Sequence, residues 1–442
     1  MGSGEGRCHA AADAGEQPES PSQIAKHGSK PLKIGFLTQP GHTVLPPAGS
    51  LEIWTHEVAR RLARRGHEVS IYASRVRDVQ AQDVNGVHYR FVDHSVDGRI
   101  GRGMRPLFRA LPNNRAFFSS RLHPLAYWAR AARHIAADEC EIVHVYNYSQ
   151  ALPFVRRANP DALLALHMQC EWLSQLARGM IGRRLARADL VLGCSDYISE
   201  KIRARFPEYG DRVGTLYNGV TVNGNVPLRR HGSNEIRLLH VGRISPEKGH
   251  HLLVSAFNEL VEEHPNLTLT IVGEESLVPL DMALDLFGEA DVEALRPFYS
   301  GSYLDRLQAS LTPDARDRVR FVGSVPYEEA GAFYRDADIF VFPSIFEAFP
   351  IPPIEAMAEG LPVVASAVGG TVESVRHDET GLLVRRGDQE GLTNALRRLI
   401  EDQSLRAALG AAGRRRAQTH FSWESVCDAF EEHVARSSAS RA

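Results

Sequence analysis

Twice along this chain a short apolar run ends in a loop, gives way to an amphipathic helix, and is followed by another apolar run. The first series opens with LKIGFLTQ at 32–39, crosses the loop PGHTVLPPAGS, and continues through LEIWTHEVARRLARRG at 51–66 to HEVSIYA at 67–73. Gly66 stands where helices commonly end in a left-handed residue, a conformation glycine adopts without steric cost. Further strands are expected at 141–146, 162–167, 189–195 and 212–217, with helical segments between them. The second series opens with EIRLLHVG at 235–242, runs into a helix from about residue 248, and adds strands at 267–273, 318–325, 338–344 and 362–366. Strands that alternate with helices pair in parallel, because each crossover returns the chain to the same end of the sheet. The pattern therefore predicts an α/β chain built from two doubly wound, Rossmann-like domains.

Residues 223–234 carry Gly, Asn and Pro without periodicity and read as a linker between an N-terminal domain over 31–222 and a C-terminal domain over 235–420. A long, mostly helical stretch at 274–317 reads as an insertion above the C-terminal ends of the second set of strands. A last helix, WESVCDAFEEHVAR at 423–436, follows after the second domain should be complete. Residues 1–30 are rich in small and polar residues that cannot bury enough surface to offset their ordering entropy, so a disordered leader is expected there.

A net charge of −3 gives no global field for nucleic acid or an anionic membrane. The five cysteines (Cys8, Cys140, Cys170, Cys194, Cys427) are scattered without a CxxC pair, which fits reduced thiols better than a disulfide frame or a zinc site. No run approaches the roughly 18 apolar residues of a membrane span, and no signal-peptide core opens the chain, so a cytoplasmic location is expected. Lysine is scarce: five in all, and Lys248 alone beyond position 201.

Lys248 lies in LLHVGRISPEKGHHLLVSAF (238–257), where a strand ends at Gly242, Arg243 follows, and Lys248 precedes a helix. Strand ends of this kind line the binding crevice of an open α/β sheet. A guanidinium and an ammonium at that place suit a diphosphate, the first as a fork and the second as a point charge. The helix dipole disfavours cations there unless an anion lies between them. A second segment, PSIFEAFPIPPIEAMAEGLPVVAS (343–366), holds Glu347 and Glu355. Pro352 and Pro353 forbid one continuous helix between the two acids but suit a first helical turn. Glu347 is then expected on the loop and Glu355 within the first turn, both facing the crevice as acceptors for sugar or ribose hydroxyls.

Together these segments resemble the retaining glycosyltransferases of family 4, which have the GT-B fold. GRISPEKG is similar to that family's phosphate-binding segment, and EAFPIPPIE to its E-x7-E element. The resemblance implies that Arg243 and Lys248 hold the donor diphosphate, Glu347 a hydroxyl of the donor sugar, and Glu355 the ribose. It places Gly273–Glu274 and Gly323–Val325 beside the base, and leaves the amides of Phe349 and Ile351 available around Pro350, where the family often has glycine. AGSLE (48–52) is similar to a family loop whose amides approach the donor phosphate: Gly49 and Glu52 fit, while Ser50 replaces a second glycine. His167 matches a histidine near the transferred sugar, and His144 another common position. The last helix is expected to cross back to brace the N-terminal domain.

No metal site stands out, since Asp336-Ala337-Asp338 has a structural look at a strand start. The resemblance implies a metal-independent transferase without a bound cofactor, its nucleotide-sugar (UDP being commonest) serving as co-substrate. A non-catalytic sugar-nucleotide binding module and a within-fold epimerase or phosphorylase are the alternatives; an oxidoreductase should show GxGxxG in its first turn, which LKIGFLTQPGHT lacks. For the acceptor, residues 98–137 hold eight arginines and no acid, interleaved with Phe117, Phe118, Tyr127 and Trp128. They suit an anionic acceptor, peripheral contact with a membrane carrying a lipid acceptor, or simply a solvated basic face. Glu171 and Trp172 offer a carboxylate beside an aromatic wall, which suits a polar, sugar-like acceptor. A small-molecule or glycoconjugate acceptor is the reading favoured.

Overall fold

A parallel sheet needs every strand to return through a crossover, and this chain does so in two blocks. The computed structural model describes residues 30–41, 44, 49–74, 81–98, 119–120, 123–224, 235–277 and 293–441. The leader expected at 1–30 lies, but for Lys30, outside the described residues, as do 225–234 of the linker, 278–292 of the insertion, and Phe117 and Phe118.

The first sheet comprises β1 (Lys33–Leu37), β2 (Glu68–Ser74), β3 (Ala81–Val84), β4 (Val87–Val92), β5 (Ile142–Tyr146), β6 (Leu163–Met168), β7 (Leu190–Gly193) and β8 (Val213–Thr215). Their order is β3-β4-β2-β1-β5-β6-β7-β8. The second comprises β9 (Ile236–Val241), β10 (Leu267–Val272), β11 (Val319–Gly323), β12 (Ile339–Phe342), β13 (Val363–Ser366) and β14 (Gly381–Val384), in the order β11-β10-β9-β12-β13-β14. That second order is the 3-2-1-4-5-6 of a doubly wound nucleotide-binding sheet. Pairing is parallel except between β3 and β4, a hairpin at the edge whose turn residues Asn85 and Gly86 both have positive φ. In each sheet the direction of winding reverses once, between β1 and β5 in the first and between β9 and β12 in the second. The chain parts to either side at these switch points, leaving a crevice at the carboxyl ends of the strands.

The helices that matter to the crevice are α1 (Ser50–Arg64), α2 (Asp196–Arg205), α3 (His250–Glu263), α4 (Tyr327–Asp336) and α5 (Ile351–Ala358), followed by α6 (Gln403–His420) and α7 (Trp423–Ala439). The last helix, α7, packs on the first domain. Trp423, Val426, Cys427, Phe430 and Val434 of α7 join the core of the first domain beside Phe36 and Trp54. Arg65 donates to Asp428 and Glu431, each at 2.6 Å, and to Glu424 at 2.8 Å. At the crossing, Val220 N–H donates to the Phe421 carbonyl at 2.7 Å and Trp423 N–H to that of Val220 at 3.2 Å.

Two expectations need correction. The described end of the supposed insertion sits on the body of the second domain: Tyr303, Leu307, Leu311 and Ala315 enter its core with α3. A crossover between the adjacent parallel strands β10 and β11 is obligatory, and this segment supplies it. In the basic stretch, Tyr127 and Trp128 are wholly buried. The Tyr127 hydroxyl donates to the carbonyls of Thr38 and Tyr72, so these two rings form core and no interaction face.

Candidate functional site

The two switch points face one cleft of about 940 Å³. From the second domain it is lined by Gly242, Arg243 and Lys248 after β9, Gly273 and Glu274 after β10, Ser324–Glu328 after β11, and Glu347–Pro352 with Glu355 after β12. From the first domain come Gln39 after β1, Gly49–Ile53 at the start of α1, Asn147 after β5, Gln169 after β6, and Asn218. Thus Arg243, Lys248, Glu347, Gly49, Ser50, Glu274, Val325, Phe349, Pro350, Ile351 and Glu355 are brought to one surface.

Lys248 reaches the cleft through a turn that glycine alone permits. Gly249 has φ +72°, and a Cβ there would lie 2.0 Å from the Pro343 carbonyl oxygen. This contact draws the loop after β9 against the end of β12. The Lys248 ammonium then lies 2.5 Å from Glu347 Oε1, which also accepts from the Ser344 hydroxyl at 2.7 Å. Both partners are largely buried, at 17% and 10% exposed, so each supplies the charge that the other's desolvation demands. Arg243 is half exposed: one arm donates to the Ser276 carbonyl at 3.2 Å and the other to Glu247 Oε1 at 3.3 Å. Glu247 is buried and takes a further bond from the Ser245 hydroxyl at 2.7 Å. It orients the guanidinium while leaving most of it open to the cleft.

Glu347 is seated from behind by Gly369. That residue has φ +45°, and a Cβ would come 1.7 Å from the Glu347 carbonyl oxygen. Pro350 is the N-cap of α5, and the helix begins at Ile351. Its prolines fall at the second and third positions, whose N–H groups would have no intrahelical partner in any case. Glu355 is the fifth helical residue and so opens the second turn. Its Oε2 accepts from the Tyr334 hydroxyl at 2.6 Å. Burial pushes the Glu355 carboxyl up to about 7, against the Tyr334 bond that pulls it down.

Across the cleft, α1 begins at Ser50 with Gly49 as its N-cap and no side-chain cap. A Cβ on Gly49 would lie 2.4 Å from Glu52 Oε2. The first amides of this 15-residue helix face the cleft, where the positive end of the helix dipole favours an anion. A phosphate held between these amides and the Arg243–Lys248 pair would have donors on two sides.

Four expected residues are not brought to the cleft. His167 is fully buried; its Nε2 lies 3.1 Å from the Leu216 carbonyl and 3.2 Å from Gln169 Nε2. Burial drives its pKa down to about 3, so it is neutral. His167 still lies within β6 and is covered there, whereas Gln169 lies beyond the strand's carboxyl end and so reaches the cleft. His144 is equally buried, stacked on Trp54 at 5.4 Å with 16° between planes. Glu171 is bound by Lys201 at 2.5 Å and by the Tyr197 hydroxyl at 2.6 Å. Trp172 lies edge-on to Tyr148. Asp336 and Asp338, which have a structural look in sequence, are bound to Arg237 at 2.6 and 3.0 Å, at the other end of the sheet.

Sequence reasoning missed Gln39, Asn147, Gln169 and Asn218, the amide side chains of the first domain's wall. Asn147 carried one usable signal, since it directly follows a strand at the switch point; its φ of +51° is tolerated best by Asn or Gly.

The cleft's geometry agrees with what the chain is similar to. Residues 229–416 match the model for Glycosyl transferases group 1, and residues 51–223 that for Glycosyltransferase Family 4. Spore coat protein SA of Bacillus subtilis is 24% identical over 86% of this chain and 93% of its own length. A D-inositol 3-phosphate glycosyltransferase of Thermobifida fusca is 27% identical over 94% of each. Among solved structures, sucrose-phosphate synthase from Thermosynechococcus elongatus superposes with a TM-score of 0.69 at 22% identity, over 92% of this chain and all of its own. Anabaena HepE in complex with UDP and glucose follows at 0.63 and 21%, over 91% of this chain and 99% of its own. No helix among the described residues is long and apolar enough to cross a membrane. The chain belongs to the family 4 glycosyltransferases of GT-B fold, and it is a transferase.

Proposed function

We propose that this enzyme moves a sugar from a UDP-sugar to a hydroxyl of a small-molecule or glycoconjugate acceptor, with retention of anomeric configuration and without a metal ion. The observation that carries the reading is the pairing of Lys248 with Glu347 at the second switch point, facing the N-terminus of α1 across the cleft. Without donor, the ammonium and carboxylate neutralise each other. With donor, the diphosphate takes Lys248 and Arg243, and a sugar hydroxyl donates to Glu347. Glu355 accepts from the ribose. UDP is taken as the base-bearing group because the HepE structure of the same fold holds UDP and glucose.

As the bond between the anomeric carbon and the phosphate oxygen breaks, negative charge grows on the leaving diphosphate. Arg243, Lys248 and the first amides of α1 are already aimed there, so little reorganisation is needed. The acceptor oxygen approaches from the same face, its proton passes to the departing phosphate oxygen, and the new glycosidic bond forms as the old one is lost. No residue of the protein need form a covalent bond.

Turnover of a panel of UDP-, GDP-, ADP- and dTDP-sugars, for wild type beside Glu347→Ala, tests the reading, with the product's anomeric configuration read by NMR. Slow hydrolysis or transfer of a UDP-sugar that the substitution abolishes, with retention, is the expected result. Tight binding of a donor without turnover towards any acceptor would point instead to a binding module, and inversion would refute the front-face step.

A further inference from the structure

The catalytic loop of the second domain is tied to the first domain by a carboxylate with no part in donor binding. Glu373 lies in the short helix Thr371–Ser374 of the second domain. Its Oε2 accepts from the amide of Asp196 and its Oε1 from that of Tyr197, both at 2.7 Å. These are the first two amides of α2, a ten-residue helix of the first domain. Ser195 Oγ accepts from the Ile198 amide at 3.2 Å, and the Ser199 amide is taken by the Ser195 carbonyl at 3.0 Å. The bond from Ser199 is the helix's first regular one, and the three open amides before it, those of Asp196, Tyr197 and Ile198, are thus satisfied by side chains, two of them by a charge from the other domain.

The contact leads directly to Glu347. Gly370 N–H donates to the Ala348 carbonyl at 3.1 Å, and a Cβ on Gly370 would lie 2.4 Å from that oxygen and 3.0 Å from Ser195 Cβ. A Cβ on Gly369, one residue before, would lie 1.7 Å from the Glu347 carbonyl oxygen and 3.5 Å from the Tyr197 ring. The loop's far end is held from the first domain as well, since Asn218 Nδ2 donates to the Phe349 carbonyl at 3.0 Å. The Phe349 ring meets Tyr217 and Phe421 at 5.1 and 5.4 Å, where the chain crosses between domains.

We propose that Glu373 is an interdomain latch and positioning residue: by holding the start of α2 it fixes the Glu347–Phe349 loop, and the donor sugar on it, opposite the first domain's wall of the cleft. This rests on the transferase reading given above. The donor diphosphate is gripped mainly by Arg243 and Lys248, which the latch does not touch. Losing the latch should therefore spare nucleotide affinity and lower turnover, because a misplacement of about 1 Å at the reacting atoms costs up to roughly 100-fold in rate.

The test uses the full chain carrying Glu373→Gln, which keeps one acceptor oxygen, and Glu373→Ala, which keeps none. Three quantities are read: UDP affinity by calorimetry, turnover of the UDP-sugar that wild type uses, and hydrogen exchange at the Asp196 and Tyr197 amides. The expected result is UDP affinity within about twofold of wild type, turnover lowered by roughly 10- to 100-fold with Ala worse than Gln, and faster exchange at both amides. Turnover of both variants within twofold of wild type overturns the proposal, as does a loss of UDP affinity that matches the loss of turnover. Glu373→Gln serves alone if the alanine variant does not fold. Absence of turnover in wild type would refute the transferase reading itself, and unchanged exchange at the two amides would separately refute the latch.

Discussion

Replacing Glu355 by glutamine should stabilise the empty enzyme above neutral pH while weakening its hold on nucleotide. The carboxyl is walled in beside the buried Tyr334, and its pKa stands at about 7 against an ordinary 4.5. The native carboxyl keeps its proton where the unfolded one has lost it, so the native state binds more protons between about pH 4.5 and pH 7. Stability therefore falls as pH rises through that window, and the full cost persists above it. At 1.36 kcal/mol per pKa unit the cost reaches about 3 kcal/mol. One side of the group opens on the cleft, and solvent screening reduces this to about 1–2 kcal/mol. Glutamine keeps an oxygen for the Tyr334 hydroxyl and carries no charge. Melting of wild type and Glu355→Gln at pH 5 and pH 8, read by circular dichroism, should show near-equal stability at pH 5 and a variant about 1–2 °C more stable at pH 8. Calorimetric titration should show wild-type UDP affinity rising with pH through 7, as ribose hydroxyls favour the ionised acceptor, and a flat, weaker response in the variant. A variant destabilised equally at both pH values would refute the reasoning.

Other substitutions probe the packing behind the site. Gly369→Ala places a methyl 1.7 Å from the Glu347 carbonyl oxygen at a positive φ; donor turnover should fall at least about tenfold while UDP still binds, and unchanged turnover would contradict the seat described for Glu347. Trp423→Ala empties a wholly buried site beside Gly219 where α7 enters the first domain. Denaturant unfolding should show a loss of about 3–5 kcal/mol, and a loss under about 1 kcal/mol would mean that α7 is not part of that core.

Much of this was readable from sequence because it lay in local pattern. Strand ends, proline positions and the two charged segments placed Arg243, Lys248, Glu347 and Glu355 on one cleft. The edge hairpin was missed although Asn85-Gly86 is a strong turn signal and VHYRFV alternates apolar and polar residues; its partner run, AQDV, is short, polar and exposed and does not read as a strand. β14 was missed because four residues, GLLV, give periodicity nothing to act on. His167 and His144 failed for a different reason: both lie within their strands, where a position near the end can still be covered, and the first domain's wall of the cleft is reached by residues past the strand ends, such as Gln169 and Asn147. The ion pair that takes Glu171 away from an acceptor role, and the contacts of Glu373, could not be read at all. Their partners lie 30 and 177 residues away in sequence, and only the tertiary fold pairs them.

The central claim is that Lys248 and Arg243 hold the diphosphate of a nucleotide donor. Calorimetric titration of UDP into wild type, Lys248→Ala and Arg243→Ala tests it most directly. A charge-assisted hydrogen bond contributes about 1.5–3 kcal/mol, so each substitution should weaken UDP binding by roughly 10- to 150-fold without lowering the melting temperature by more than a few degrees. UDP affinity unchanged in both variants would contradict the account.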